Sequence, residues 1–217
     1  MANVLIIAGH PDPKSFSSAL ADAYAQTAAS CGATVSRIDL AQLKFDPVLR
    51  HAFKVEQPLE PDLIAASAAI QAAQHVAWFF PLWWGGPPAL VKGFIDRVFL
   101  PGFAFRYRGR NQLPVKLLAG RSARVVSSMD SPMAWYTLVL RRVLHASFGT
   151  ATLSFVGFSP IRTTLLSELR FRGEAELARA LEQVKSAAAR DVRALPAAPA
   201  IDHRPAAAVL HTTDSAP

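Results

Sequence analysis

The sequence predicts an α/β protein built on a doubly wound parallel sheet of five strands, in the order 2-1-3-4-5, with helices on both faces. Two observations predict it. Short β-branched or aromatic runs alternate with Ala-rich helical stretches, as βαβ units require. The first and third runs, Val4–Ala8 and Val76–Phe80, are apolar almost throughout, which suits strands covered by helices on both sides.

Taken in order, the strands are expected at Val4–Ala8, Thr34–Ile38, Val76–Phe80, Ala123–Ser127 and Leu153–Phe158. The helices are expected at Ser17–Ser30, Asp62–Ala73, Pro88–Val98, Trp135–His145 and Glu174–Ala189. The chain of 217 residues is long enough for one such domain, assigned to residues 1–195. The stretch from Gly102 to Gly120, with Phe103, Phe105, Tyr107 and several basic residues, breaks the alternation and is read as a functional excursion. Residues 196–217, half of them Ala or Pro and without apolar periodicity, are expected to be a disordered tail.

Composition excludes several function classes. Mean hydropathy is +0.21, yet the apolar run from Val76 to Trp84 is nine residues and contains a proline, so no membrane insertion is expected. The start of the chain has no basic segment ahead of its first apolar run, and the one cysteine, Cys31, cannot pair internally; both point to a cytoplasmic protein. The net charge of +7 is spread along the chain without a nucleic-acid-binding signature, and attracting an anionic small molecule is its more economical use. The six histidines show no metal-ligand spacing, so no metal is expected.

In a doubly wound sheet, ligands bind beyond the carboxyl ends of the strands where the strand order reverses. Three loops meet there. The first, Gly9-His10-Pro11-Asp12-Pro13-Lys14-Ser15-Phe16-Ser17-Ser18, opens a helix whose free amides suit a phosphate; equally, Ser15 or Ser17 could simply cap that helix. The second carries Pro81, Leu82, Trp83, Trp84, Gly85 and Gly86. Two tryptophans followed by permissive backbone suit a flat ring lying against the chain, the alternative being an aromatic anchor under the next helix. The third, Ser127-Ser128-Met129-Asp130, offers hydroxyls to the same ligand, with Asp130 either a functional carboxylate or a helix cap.

His10-Pro11…Ser15-Phe16 together with Phe80-Pro81-Leu82-Trp83-Trp84…Pro88-Ala89…Lys92-Gly93-Phe94-Ile95-Asp96-Arg97-Val98-Phe99…Gly102-Phe103-Ala104-Phe105 resembles the NAD(P)H:quinone oxidoreductase, or DT-diaphorase-like, family of flavodoxin-like flavoproteins. The resemblance covers about residues 1–190. It implies that His10, Ser15, Phe16 and Ser18 sit at a flavin phosphate and ribityl chain, and that Pro81, Leu82, Trp83 and Trp84 meet the isoalloxazine ring, with Gly85 beside them. It also implies Tyr136 as a donor near the flavin, with Trp135 an equally good alignment to that position. Where family members carry a Thr-Thr-Gly-Gly loop, this chain has Ser127-Ser128-Met129-Asp130, and the family's catalytic histidine has no counterpart at its spacing.

The implied activity is NAD(P)H-dependent reduction of a planar acceptor such as a quinone through bound flavin, with azo and nitro compounds as related acceptors. FMN is favoured over FAD, because the family's adenine-side positions are not matched near Ser67 or Leu177. A homodimer is implied, with Phe103–Arg110 as a dimer or pocket wall. The competing function is a regulatory flavoprotein subunit of a potassium-efflux transporter.

Overall fold

The computed structural model describes residues 1–50, 52, 54–109 and 112–196. The expected tail lies, Pro196 apart, outside the described residues, as do His51, Arg110, His203 and His211. The elements follow as β1 (Asn3–Ala8), α1 (Phe16–Ser30), β2 (Thr34–Asp39), α2 (Pro61–Ala72), β3 (His75–Pro81), α3 (Ala89–Val98), β4 (Phe105–Arg106), β5 (Val115–Lys116), β6 (Ser122–Ser128), α4 (Met133–Leu138), β7 (Ile161–Leu166) and α5 (Glu174–Arg193). The main sheet is parallel throughout and runs β2-β1-β3-β6-β7. Counting only its own five strands, this is the expected order 2-1-3-4-5.

Alternation along the strands feeds two apolar layers. Leu5, Ile7, Trp78, Phe80 and Val125 pack with α2, α3 and the β6–β7 connection, notably Phe94 and Phe148. Val4, Ile6, Phe79 and Val126 pack with Leu20 and Tyr24 of α1 and Val184 of α5. The sheet thus buries both faces, which is why β1 and β3 contain no exposed position beyond the half-buried Asn3.

Two expectations need correction. The fifth strand is Ile161–Leu166, whereas Leu153–Phe158 continues a π-helix spanning His145–Ser154 into a final helical turn. Phe148 and Leu153 are both buried and five residues apart, so the wider π turn aims both at the core; tertiary packing overrides the strand propensity of Leu-Ser-Phe-Val. The fourth helix ends at Leu138 rather than His145. Arg141 and Arg142 take positive φ angles of 47° and 55°, which no continuing helix allows.

The long motif after β3 turns out to build the scaffold. Arg97, fully buried, forks onto Glu60 at 2.9 and 3.1 Å and donates to the carbonyls of Asp46 and Pro58 at 2.6 and 2.8 Å, fixing the loop between β2 and α2. A side chain at Gly93 would strike Pro47, with its Cβ 2.4 Å from the proline ring. Lys92 pairs with Asp96 on the surface. At the opposite end of the sheet from the strands' carboxyl ends, Tyr24 donates to Asp191 at 2.7 Å and meets His75 at 2.9 Å, His75 meets Ser122 at 2.8 Å, and Arg124 grips Asp191. This buried chain of polar groups ties α1, β3, β6 and α5 together.

Candidate functional site

The carboxyl ends of β1, β3, β6 and β7 open into a cleft of about 630 Å³. Its first wall is the start of α1. Ser15 is the N-cap, accepting the Ser18 amide on its hydroxyl at 3.3 Å, so the capping reading of this serine is realised. The amides of Phe16 and Ser17 have no acceptor within the helix and sit in the cleft wall, at the positive end of the helix dipole. Capping by Ser15 therefore leaves these two amides without a partner in the helix. Ser18 lies behind this wall, its hydroxyl directed to Ser15 and to the carbonyl of Asp12. His10 lines the cleft, its Nδ1 within hydrogen-bonding distance of both the amide (2.9 Å) and the carbonyl (3.1 Å) of Asp12.

The second wall is aromatic. Pro81 and Leu82 are buried, and Leu82 is held by its amide to the carbonyl of Ser128 at 2.7 Å. Trp83 and Gly86 exchange both backbone hydrogen bonds at 2.9 Å, closing a tight turn with Trp84 and Gly85 at its tip. Their φ angles are +52° and +78°, the left-handed pair that a type I′ turn demands. Gly85 supplies this freely; Trp84 does so against its side chain, and its indole is completely exposed. Trp83 is half exposed and lies edge to face with His10, ring centroids 5.6 Å apart. The tryptophans are not core anchors.

The third wall joins two loops. Ser128 and Met129 line the cleft, whereas Ser127 is buried on the other face of β6 with its hydroxyl unpaired. Asp130 caps nothing: α4 begins after Pro132, and the Asp130 carboxylate instead takes the Arg170 amide at 3.0 Å and the Arg170 guanidinium at 3.2 Å. Leu169 and Arg170 thereby complete the wall, together with Ser131. Sequence reasoning missed this contribution, because it expects the fifth strand at Leu153–Phe158 and so reads no loop after Leu166; Ser131, next to Asp130 in the third loop, was the available signal.

Tyr136 does not line the cleft. It is buried in the core with its hydroxyl unpaired, and burial pushes its phenol pKa up. Of the Phe103–Arg110 stretch, the described residues stay outside the cleft: Ala104 and Phe105 are buried against the core, while Tyr107 is exposed. Among the described residues no group of three or more His, Cys, Asp or Glu side chains is placed to hold a metal, and no helix is long and apolar enough to cross a membrane.

A doubly wound parallel sheet with a polar and aromatic cleft at its switch point defines a ligand-binding α/β protein. The chain belongs to the flavodoxin-like fold family, whose profile matches residues 2–190. It is similar to an uncharacterized NAD(P)H oxidoreductase of Haemophilus influenzae, 33% identical over 138 residues that make up 62% of this chain and 67% of that protein. It is also similar to NAD(P)H dehydrogenase (quinone) 1 of Cavia porcellus, 30% identical over 128 residues, or 49% of this chain and 46% of the relative. The chain thus matches less than half the length of that relative. Among solved structures, Smu.1420 from Streptococcus mutans UA159 superimposes with a TM-score of 0.73 at 30% identity, covering 87% of this chain and 99% of that one.

Proposed function

We propose that the chain is an NAD(P)H-dependent flavoprotein oxidoreductase that reduces quinones or related planar acceptors. One observation carries this reading: the free amides of Phe16 and Ser17 and the half-exposed indole of Trp83 face a single cleft. A ligand spanning them has an anionic end and a flat aromatic end. The cleft volume falls in the range of small-molecule sites, about 300–1,000 Å³, so the residues present fit a flavin mononucleotide.

The α1 amides and the imidazole of His10 would hold the phosphate. Backbone from Leu82 to Gly85 and the face of Trp83 would hold the ring, and Ser128 would meet its polar edge. A bound flavin supplies a hydride acceptor for NAD(P)H and a hydride donor for the second substrate. This chain's own part is to bind, to orient and to exclude water. Buried Leu82 and Met129 form the dry floor, and the outward-held Trp84 offers an aromatic face to the nicotinamide or the acceptor in turn. The names of the two relatives, an NAD(P)H oxidoreductase and an NAD(P)H dehydrogenase (quinone), agree with this chemistry.

FMN is favoured over FAD: neither Ser67 nor Leu177 is among the residues that line the cleft. A homodimer is proposed as well, since Trp84, Trp135 and Leu138 leave large apolar side chains exposed. Light scattering at micromolar concentration would return a dimer mass, and a monomer would refute this part. The free, exposed thiol of Cys31 suits the reducing cytoplasm.

Successive additions test the activity. NADH or NADPH should bleach the flavin absorbance of the protein, and a quinone should restore it. Bleaching without recovery by quinones, but with recovery by an azo or nitro compound, would move the acceptor class. No bleaching by either nucleotide would reject the reductase reading.

A further inference from the structure

The third wall contains a connection that the flavin reading does not require and the family pattern does not supply. Two backbone bonds link the loops after β6 and β7: Met129 N–H to Leu166 at 2.9 Å and Leu169 N–H to Met129 at 3.1 Å. Beyond them the chain turns through Glu168 at φ +55°, a left-handed position, and exposes Leu169–Arg170 along the cleft. At this point the Asp130 carboxylate closes a two-pronged tether, one oxygen on the Arg170 amide and the other on its guanidinium. A glycine at position 130 would leave the two backbone bonds intact and remove both prongs.

We propose that Asp130 is a positioning residue of the cleft: by tethering Arg170 it holds the Leu169–Arg170 wall at the distance at which the bound flavin is gripped. The role rests on the flavin reading above. It follows from geometry and charge. The prong on the amide fixes backbone and depends less on salt, whereas the prong on the largely exposed guanidinium is a surface ion pair that salt screens. Asp130 therefore acts through Arg170 rather than by touching the ligand's reacting atoms, and its two prongs are separable by substitution. Asp130→Asn retains an oxygen for the amide and loses the ion pair; Asp130→Gly loses both; Arg170→Gln keeps the amide and loses the guanidinium.

The test titrates the flavin-stripped full chain with FMN, following flavin fluorescence, at low and high salt, beside melting curves and amide hydrogen exchange. Asp130→Gly should weaken FMN binding about tenfold, and Asp130→Asn and Arg170→Gln by about threefold or less, with melting temperatures close to wild type. Raising salt should bring wild type down towards Asp130→Asn, a convergence that a purely structural role would not produce. Exchange at the Leu169 and Arg170 amides should quicken in Asp130→Gly even without ligand. If wild type binds FMN and Asp130→Gly binds it within about twofold, the positioning role is overturned while the cofactor reading stands. If wild type binds no flavin, both fall.

Discussion

The ring of His10 meets the indole of Trp83 edge to face, with centroids 5.6 Å apart, and so joins the phosphate-suited end of the cleft to its aromatic end. The contact joins residues 73 apart in sequence, on two loops brought together because β1 and β3 are neighbours in register, Ala8 beside Phe79. Gly9 lets the first loop leave β1 close against α3: a side chain there would lie 2.3 Å from Val91. Function at this site is thus a consequence of sheet order.

Trp84 is strained and exposed at once, which predicts a trade of stability against binding. Trp84→Gly removes a left-handed penalty of about 1–2 kcal/mol and gives up no buried contact. The melting temperature should rise by about 2–4 °C per kcal/mol gained, while affinity for NAD(P)H or the acceptor falls. Thermal melts and steady-state KM values check both halves.

Arg97 predicts the opposite behaviour, large destabilisation without direct contact to the cleft. Arg97→Ala leaves Glu60 and the carbonyls of Asp46 and Pro58 without their donor, in a site where the guanidinium is fully buried. Breaking such a pair costs about 3–5 kcal/mol. Denaturant unfolding should show a loss of that order.

The buried polar chain opposite the cleft sets an acid limit on stability. Burial, outweighing the nearby Asp191 charge, lowers the His75 pKa from 6.5 to about 4. The unfolded chain therefore takes up a proton near pH 6.5 that the folded chain refuses until about pH 4. The stability conferred by neutral His75 is present above pH 6.5 and is lost as pH falls from there towards 4, by about 3 kcal/mol. Asp191 acts lower down: burial opposes its charge, yet the hydrogen bonds from Arg124 and Tyr24 prevail and hold its pKa below the ordinary carboxylate value. Its contribution is thus lost only below pH 4. Melting temperature against pH should fall between pH 6.5 and 4 in wild type and less steeply in His75→Gln; parallel profiles would contradict this assignment.

Much of the fold was legible because β1 and β3 are buried on both faces and, Asn3 and His75 apart, apolar throughout, a pattern that few other arrangements produce. The last strand was not, because Ile161–Leu166 is an edge strand with an exposed Thr163 and mixed composition, whereas Leu153–Phe158 has the stronger strand propensity and is claimed by the core as helix. Within the cleft, His10, Ser15, Trp83 and Ser128 could be placed from the loops alone, since they follow strands correctly located. Leu169 and Arg170 could not, for they depend on where β7 ends and on a tether between residues 40 apart. Gly93 and Arg97 show the converse: a motif read as part of the binding signature supports the scaffold.

The most direct test of the central claim is to denature the purified protein and identify by mass what is released, then to reconstitute the stripped chain. The account predicts FMN, recovered near one equivalent per chain and rebound with restored visible absorbance. Release of no flavin, followed by failure to take up either FMN or FAD, would contradict it.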